Sequence, residues 1–478
     1  MKFTTLSHAG LLIEHNGKKI ISDPWLTGSC YWRSWWNFPE PPSDLLQNLK
    51  PDYIYLTHLH WDHFHGPSLK KFFDPNTHIL VPKVPTRRMI EDLNFLGFHN
   101  ISEIKHGDEF KLGEDFKLYS YQFGLGVDSA MIINGGNRTL FNCNDSKFFG
   151  LPLKQITNKF PKIDFVLRSY SSASPIPYCI DDYETHFPSL REKQDYIEEF
   201  AYFALSIGAR FAVPFASNHC FLHKETFHFN QTSVLPNNIL PTYQLLANKI
   251  NTKSECIVMA PGSNWSDKDG FNITKFDYLN KEKYFQYMYT IHGGKLEKQY
   301  VKEKQTIADF ELFQKYFKKF IKAIPWPIRK WLKLHFVFQT SDSLGKYNWM
   351  VDVTNSKIKA INEPSEDSIL IEISALILND CCKYRMFSVW GASKRLKIHL
   401  PSPDHLKLLT KIFSLLDFYE LDMLPLRKNF TIRSLSIRLR RWREIVEALN
   451  LLFKHKILKR PFKIAELYSL PEKMKINS

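Results

Sequence analysis

A run of histidines directly after an apolar strand constrains this chain most strongly. It contains His58, His60, Asp62 and His63, and it follows the apolar run 52–56. Neighbours two apart on a strand share one face, so His58 and His60 can point to one side while Asp62 and His63 turn toward a second position. Neutral imidazoles and a carboxylate suit zinc or iron, whereas calcium and magnesium prefer oxygen ligands. The spacing predicts a metal-dependent enzyme rather than a polar surface loop.

Size and composition indicate a globular protein of several domains. The chain has 478 residues, of which 44% are hydrophobic and 15% aromatic, which argues against disorder. The best candidate for a membrane span, Ile369–Leu378, is too short and contains Glu372. The N-terminus lacks the apolar segment of a secretory signal, and seven scattered cysteines form no disulfide or zinc pattern. We therefore expect a cytoplasmic protein.

The positive charge is concentrated near the C-terminus. Of a net charge of +15, +10 lies between Arg427 and Lys463. The excess positive charge is therefore a local property of this tail and does not indicate nucleic-acid binding by the whole protein. Apolar residues from Leu435 to Phe453 recur near helical spacing, which predicts a basic amphipathic helical tail over residues 426–478. We favour docking of this helix on its own protein. The alternative is peripheral contact with an anionic membrane surface or an acidic partner.

The order of apolar patterns predicts an α/β protein. Residues 1–265 alternate short strands with helices such as 192–207, which predicts two packed sheets flanked by helices. Residues 266–305 are polar and aromatic without a clear period, and we expect a connecting segment there. Residues 306–425 predict a small α+β domain.

Short strings outside the histidine run resemble one family. These strings are Asp23-Pro24-Trp25-Leu26, Trp35-Trp36, Glu40-Pro41-Pro42-Ser43-Asp44, Thr57–His63, Pro67–Lys71 and Pro214-Phe215-Ala216, the last leading on to His223. They carry a resemblance, which covers most of residues 1–265, to the catalytic part of CMP-N-acetylneuraminate hydroxylases, within the metallo-β-lactamase fold superfamily. The resemblance implies a metallo-β-lactamase-like αββα sandwich and an iron oxygenase that hydroxylates a nucleotide-linked sugar with electrons from a Rieske cluster. The small domain weakly resembles a sterol-carrier-like domain.

The resemblance also implies site residues beyond the histidine run. A strand-end carboxylate, Asp145, is expected to bridge two metals, and His223 is expected to be a late histidine ligand. We expect Asp62 and His219 to be catalytic. The aromatic loop is expected to contact substrate through Trp25 and Trp36, although these rings could also simply pack. The expected metal ligands are His58, His60, Asp62, His63, Asp145 and His223.

Two features depart from the family pattern. The sequence has a Cys-x-x-His element ending at His223 but no Cys-x-His element to pair with it, so a Rieske cluster is not expected and an oxygenase would need an external redox partner. The stretch before Asp128 also lacks the histidine that the fold usually supplies to the first metal. His219 has the better claim to replace it, whereas a surface role is favoured for His106 and His186. The loop residue His65 is either a surface residue or a substrate contact.

The sequence thus predicts a metal-dependent oxygenase acting on a small polar or nucleotide-linked substrate. Iron is the expected cofactor, in a dinuclear or mononuclear site, and zinc is the alternative, because imidazole and carboxylate ligands serve both metals. With zinc the protein would be a hydrolase of the same superfamily. A non-catalytic binding protein that lost one metal position is the third hypothesis.

Overall fold

Strands dominate the first third of the chain. A computed structural model describes residues 1–47, 49–124, 128–186, 192–457 and 464–468. The first helices are α1 (Ser43–Leu46), α2 (Gly66–Phe72) and α3 (Arg88–Leu96). The strands in this part are β1 (Lys2–Thr5), β2 (Leu11–His15), β3 (Lys18–Ser22), β4 (Ser29–Cys30), β5 (Trp35–Asn37), β6 (Tyr53–Tyr55), β7 (His78–Pro82), β8 (Ile101–Ile104), β9 (Glu109–Gly113), β10 (Phe116–Phe123), β11 (Asp128–Gly135) and β12 (Arg138–Asn144).

The middle of the chain alternates helices with shorter strands. Its helices are α4 (Gly150–Lys159), α5 (Tyr183–His186), α6 (Lys193–Ile207) and α7 (Ile239–Lys249), with 3₁₀ turns at Phe227–Gln231 and Pro236–Asn238. Its strands are β13 (Phe165–Arg168), β14 (Phe211–Pro214), β15 (His219–Phe221), β16 (Glu255–Cys256), β17 (Asn264–Ser266) and β18 (Gly270–Asn272).

The last part of the chain is mixed. Its strands are β19 (His335–Ser341), β20 (Lys346–Asp352), β21 (Lys357–Ile361), β22 (Ile369–Ile373) and β23 (Leu396–His399). Its helices are α8 (Lys281–Gln305), α9 (Phe310–Ala323), α10 (Trp326–Leu332), α11 (Ala375–Tyr384), α12 (Phe387–Trp390), α13 (Leu406–Glu420), α14 (Ile432–Arg440) and α15 (Trp442–Leu452). Shorter turns are 3₁₀ at Pro403–His405, Leu426–Phe430 and Ile464–Leu467, and π at Phe453–Ile457.

Two large sheets pack face to face and confirm the predicted αββα sandwich. Within the described ranges the first sheet has the order β18-β17-β1-β2-β3-β6-β7-β8 and the second has β16-β14-β13-β12-β11-β10-β9. The β2–β3 hairpin turns at Asn16 and Gly17, whose φ angles of 46° and 76° are those that a tight hairpin requires. Strands β3, β6, β7 and β8 run parallel, so their carboxyl ends lie at one edge.

The space between the sheets is apolar, and helices cover both outer faces. Phe3, Met131 and Phe165 are fully buried in the central layer. Leu93 of α3 packs outside the first sheet, and Phe200 of α6 packs outside the second. Side chains alternate along each strand, so one face of each sheet lies in the central layer, and amphipathic helices cover the opposite face. This packing fixes the strand ends from which the polar side chains of the candidate site project.

A third, five-stranded sheet belongs to the C-terminal part. Its order among the described residues is β21-β20-β19-β22-β23. Phe313 and Phe317 of α9 pack on it together with Trp390. The same apolar cluster continues into Trp25 and Trp35 of the first part, so the two parts share a core. The domain boundaries predicted at residues 265, 305 and 425, and the sterol-carrier-like interpretation, stay predictions.

The segment predicted to connect the domains contains a long helix. Residues 266–305 were expected to have no regular period, but helix α8 has 25 residues. Its buried residues are Phe285, Met288, His292 and Leu296. These positions form a narrow stripe that includes a histidine and is surrounded by lysines and tyrosines, so the helical period is weak in the sequence.

The described part of the basic tail includes helices α14 and α15, which contact the rest of the protein through charged residues. Arg433 of α14 donates to the carbonyl of Val84 at 2.8 Å and to Glu103 at 2.9 Å. Glu447 of α15 accepts from the backbone N–H of Leu151 at 2.9 Å. The apolar face of α15 is nevertheless exposed, so membrane or acidic-partner contact stays a prediction. Among the described residues, no helix is long and apolar enough to cross a membrane.

Candidate metal centre

Polar side chains from five strand ends meet at one edge of the sandwich. The histidine run follows β6, and Asp23 follows the neighbouring parallel strand β3, so both leave the sheet at the same edge. Asp145 follows β12 and Asp128 begins β11 in the facing sheet. His8 lies in the loop between β1 and β2. Residues far apart in the sequence are therefore brought together at the carboxyl ends of the parallel strands.

The outer cluster consists of His58, His60 and Asp145. One ligand atom from each lies within 4.8 Å of the others. His58 Nε2 lies 2.9 Å from His60 Nδ1. The His58 ring is fully buried, whereas the Asp145 side chain is 25% exposed. These three donors could hold one metal ion with an open side toward solvent.

The inner cluster consists of His8, Asp62 and His63, all buried. Asp62 Oδ2 lies 3.0 Å from His8 Nε2 and 3.3 Å from His63 Nε2. His63 Nε2 also lies 3.3 Å from Asp145 Oδ2. Asp145 thus lies between the two clusters, which is the place expected of a bridging carboxylate. His8 was not identified from the sequence.

Asp128 lies where the sequence lacks the usual third histidine. Its Oδ1 is 4.0 Å from His58 Nε2. Removal from water raises the pKa of the Asp128 carboxyl to about 6; the charge of His60 opposes this shift and that of Asp145 adds to it. The carboxylate could complete the outer cluster, because Asp oxygen is an acceptable ligand for zinc and for iron.

A second layer of residues orients the donors. Asp23 is fully buried and accepts from the backbone N–H of Thr57 at 2.8 Å and from its hydroxyl at 2.7 Å. Asp23 Oδ2 lies 2.8 Å from His63 Nδ1, which leaves Nε2 of that ring free to point at the inner cluster. The hydroxyl of Tyr31 donates to Asp62 Oδ1. A carboxylate behind a histidine is the usual support of a metal-binding imidazole.

Several buried nitrogen atoms of the site make no hydrogen bond within the described part of the chain. They are Nε2 of His63 and both ring nitrogens of His8 and His219. Buried polar atoms are normally hydrogen-bonded, and leaving one unpaired costs about 1–3 kcal/mol. Imidazole nitrogens that face carboxylates without a hydrogen bond are the donor set that a transition metal requires. The residues therefore fit a metal ion.

The charges of the inner cluster depend on one another. Burial alone raises the pKa of Asp62, but the charge of His63 and the contact with His8 outweigh it and hold that pKa well below its usual range. Burial lowers the pKa of His58 and of His219, so both imidazoles are neutral near pH 7. Neutral imidazole is the form that binds metals.

His219 lies beside the inner cluster, whereas His223 does not. The His219 ring stacks on Trp35 with centroids 3.5 Å apart and lies 5.5 Å from the ring of His8. His223 was expected to be the late ligand, but its Nε2 faces Glu303 at 3.5 Å. Strand β15 ends at Phe221, two residues before His223. Of the two histidines, His219 lies nearer the inner cluster, and His223 as a ligand stays a prediction.

The two tryptophans expected to contact substrate are fully buried. Trp36 stacks on His292 of α8 with centroids 4.3 Å apart, and Trp25 lies 5.5 Å from the His8 ring. Both rings therefore pack in the structure, and substrate contact stays a prediction.

The other histidines considered from the sequence lie outside the two clusters. His65 is buried and its Nδ1 accepts from the backbone N–H of Ser68, which caps α2. His106 is buried and accepts from the backbone of Gln122 at 3.1 Å, rather than lying on the surface. The side chain of His186 is outside the described residues.

Comparison with known proteins finds similarity in part of the chain. Residues 2–123 match the model of the beta-lactamase superfamily domain. A putative Rieske 2Fe-2S iron-sulfur protein of Mycobacterium tuberculosis is 29% identical over 276 residues, which are 55% of this chain and 53% of that protein. The cytidine monophosphate-N-acetylneuraminic acid hydroxylase of Mus musculus is 35% identical over 151 residues, which are 30% of this chain and 26% of the hydroxylase. The chain thus spans about half the length, or less, of these relatives.

The solved structures that align with the chain are less similar in sequence. An isothiocyanate hydrolase from Delia radicum gut bacteria aligns with a TM-score of 0.40 and 18% identity, over 56% of this chain and 99% of that one. CmlA, a diiron beta-hydroxylase from Streptomyces venezuelae, aligns with a TM-score of 0.37 and 14% identity, over 54% of this chain and 52% of that one. The matched family domain and the convergent donor clusters support a metal-dependent enzyme. Residues 2–123 thus carry a beta-lactamase superfamily domain, and the chain is similar in part to a CMP-N-acetylneuraminate hydroxylase and to a Rieske iron–sulfur protein.

Proposed function

We propose that the protein is an iron-dependent oxygenase that hydroxylates a small polar or nucleotide-linked substrate. The observation that carries the proposal is the pair of donor clusters joined through Asp145, in a region similar in sequence to a hydroxylase. With Asp128, three carboxylates stand among the imidazoles. Carboxylate oxygens and imidazoles together are the ligands that non-haem iron prefers when open positions remain for a further reactant.

The residues around the proposed metal site have different roles. When bound, iron supplies dioxygen chemistry, whereas zinc lowers the pKa of a coordinated water. Asp23 holds the His63 ring so that Nε2 faces the cluster, and Tyr31 holds one oxygen of Asp62. Buried Trp25 and Trp35 exclude water from the inner side. The partly exposed Asp145 and Asp128 leave the outer side for substrate.

An oxygenase of this kind needs a source of electrons. The relatives include Rieske iron–sulfur proteins, and residues 1–478 carry no pair of Cys-x-His and Cys-x-x-His elements. We propose that a redox partner outside these residues supplies the electrons. Its cluster would deliver electrons at the outer, exposed side, because the inner side is covered by tryptophans and by the C-terminal part.

The second candidate is a metal-dependent hydrolase with zinc in the same clusters. The observation that favours it is the match to the beta-lactamase superfamily domain, because this match does not by itself imply oxygenase activity. Metal analysis of protein purified without added metal separates the two. Iron in both clusters, with an absorption band that changes on reduction, supports the oxygenase. Zinc alone, with hydrolysis of a phosphodiester or ester substrate, supports the hydrolase.

The Asp145→Ala variant tests the shared centre itself. Because Asp145 lies between the clusters, its loss should remove metal from the outer cluster and weaken the inner one, and substrate turnover should stop. Metal content by elemental analysis and unfolding by circular dichroism are the measurements. Asp404→Ala is the matched control, since that carboxylate is exposed and distant in sequence from the site. Full metal content in folded Asp145→Ala protein would contradict the proposed centre.

A further inference from the structure

We propose that a second site, at the junction of the N-terminal and C-terminal parts, binds a small aromatic or apolar molecule that carries an anionic group, which Lys394 receives. The site is a cavity of about 900 Å³. Its walls come from the loop before α5 and from the ends of β19, β22 and β23, and include Tyr178, Phe229, Thr340 and Lys394. A volume of this size is within the range of small-molecule sites.

Lys394 is the unusual feature of the cavity wall. It is 3% exposed, and no acceptor or carboxylate within the described residues pairs with its Nζ. The ammonium lies over three aromatic rings instead, 5.0 Å from Tyr178, 5.2 Å from Phe221 and 5.3 Å from Phe229. Cation–π contacts offset only part of the cost of removing an ammonium from water. An anion in the cavity would supply the missing counter-charge.

Three of the five carboxylates that line the cavity already have cationic partners. Asp181 pairs with Lys397 at 3.1 Å and with His399 at 3.1 Å, and Glu372 pairs with His399 at 2.6 Å. Glu225 pairs with the neighbouring guanidinium of Arg395 at 2.9 Å. These carboxylates therefore do not satisfy Lys394.

A second polar atom of the wall is also without a partner. Thr340 is 2% exposed, and its Oγ1 has no hydrogen bond to the described part of the chain. A hydroxyl can donate to an anionic oxygen, so Thr340 and Lys394 together offer two donors among aromatic walls. Burial lowers the pKa of Lys394 to about 8, at which the amine is still largely protonated at neutral pH.

The proposed site is separate from the metal clusters. The ring of Phe221 stands between them, because it lies 5.2 Å from Lys394 Nζ on one side and 5.3 Å from the His219 ring on the other. A molecule in the cavity would therefore not reach the metal ligands directly. The cavity site rests on its own lining residues and not on the proposed oxygenase activity.

Binding of two matched fluorescent probes to the full chain tests the proposal. One probe is 1-anilinonaphthalene-8-sulfonate, and the other is N-phenyl-1-naphthylamine, which has the same rings without the sulfonate. Wild-type protein should bind the sulfonate probe at one saturable site. In Lys394→Met its affinity should fall at least about tenfold, because a charge-assisted hydrogen bond is lost, while affinity for the neutral probe stays unchanged. Equal affinity of the sulfonate probe for both proteins would overturn the proposal.

A protection experiment on the wild-type protein does not depend on how the variant folds. Trinitrobenzenesulfonate modifies lysine amines, and mass spectrometry reports each modified lysine. The sulfonate probe should slow modification of Lys394 and leave exposed Lys407 unaffected. Unchanged modification of Lys394 in the presence of saturating probe would place the probe elsewhere and refute the site. Thr340→Val should weaken sulfonate binding less than Lys394→Met does, since it removes the weaker of the two donors.

Discussion

Two buried polar clusters differ in how far the chain satisfies them. In the metal centre, nitrogen atoms of His8, His63 and His219 lack hydrogen-bond partners in the described ranges. In the second cluster His223 Nε2 also lacks one, but Arg395 donates to Glu225 at 2.9 and 3.0 Å and to Glu303 at 2.6 and 2.9 Å. Histidine and carboxylate content alone therefore does not distinguish the two clusters. Several unpaired nitrogen atoms that converge on one point do.

The largest expected effect follows from breaking the inner cluster. Asp62→Ala removes the carboxylate that His8, His63 and Tyr31 all face. We expect loss of metal from the inner cluster and a fall in turnover of at least about 100-fold. Mutation of residues that only support metal ligands already lowers metal affinity or activity by about 10–100-fold. Elemental analysis and activity of folded protein measure this. Retained metal and turnover would show that Asp62 is not a ligand.

The Arg395 cluster should respond in stability and not in metal content. Arg395→Met leaves the largely buried Glu303 without its main counter-charge, and the free energy of unfolding should fall by about 3–5 kcal/mol. The double variant Arg395→Met, Glu303→Gln should recover part of this loss, because the uncompensated carboxylate is gone. Urea unfolding measures both variants. A metal content below that of the wild type in the folded single variant would mean that the two clusters are not separate.

A pair of histidine variants compares the clusters directly. His8→Ala should weaken metal binding by about 10–100-fold, because it removes an inner donor, whereas His223→Ala should leave metal content unchanged. Metal affinity by competition with a chelator is the measurement. The two substitutions remove the same ring from equally buried positions, so each is the control for the other. Metal loss in His223→Ala alone would restore the ligand set expected from the sequence.

The sequence predicted the part of the centre that is local and missed the part that depends on topology. His58, His60, Asp62 and His63 lie on one strand end, so their spacing alone brings them together. His8 stands alone after β1, and only the pairing of β1 within the same sheet brings it to that edge; a histidine beside a glycine turn at a strand end was the available signal.

The choice between His219 and His223 also depended on structure. Both histidines lie in the segment after β14, and the sequence does not show where the next strand, β15, ends. Pairing of His219 with Asn37 and of Phe221 with Trp35 in the β15–β5 ribbon sets the direction of each ring. The αββα fold itself was predictable, because alternating strands and helices allow few arrangements. Helix α8 was not, because its buried stripe is narrow and contains His292.

The smallest expected effect is a pH dependence of the Arg395 cluster. Burial alone raises the pKa of Glu303, but His223 and Arg395 outweigh it and lower that pKa to about 2, from 4.5. A carboxyl with a lowered pKa stabilises the fold above its unfolded pKa, and this contribution is lost as pH falls from 4.5 toward 2. Glu303→Gln should therefore be less stable than wild type by about 1–2 kcal/mol at pH 7, with solvent screening taken into account. Urea unfolding at pH 7 and at pH 3.5 should show this difference shrinking at the lower pH. A difference that stays constant would mean that Glu303 acts through packing and not through its charge.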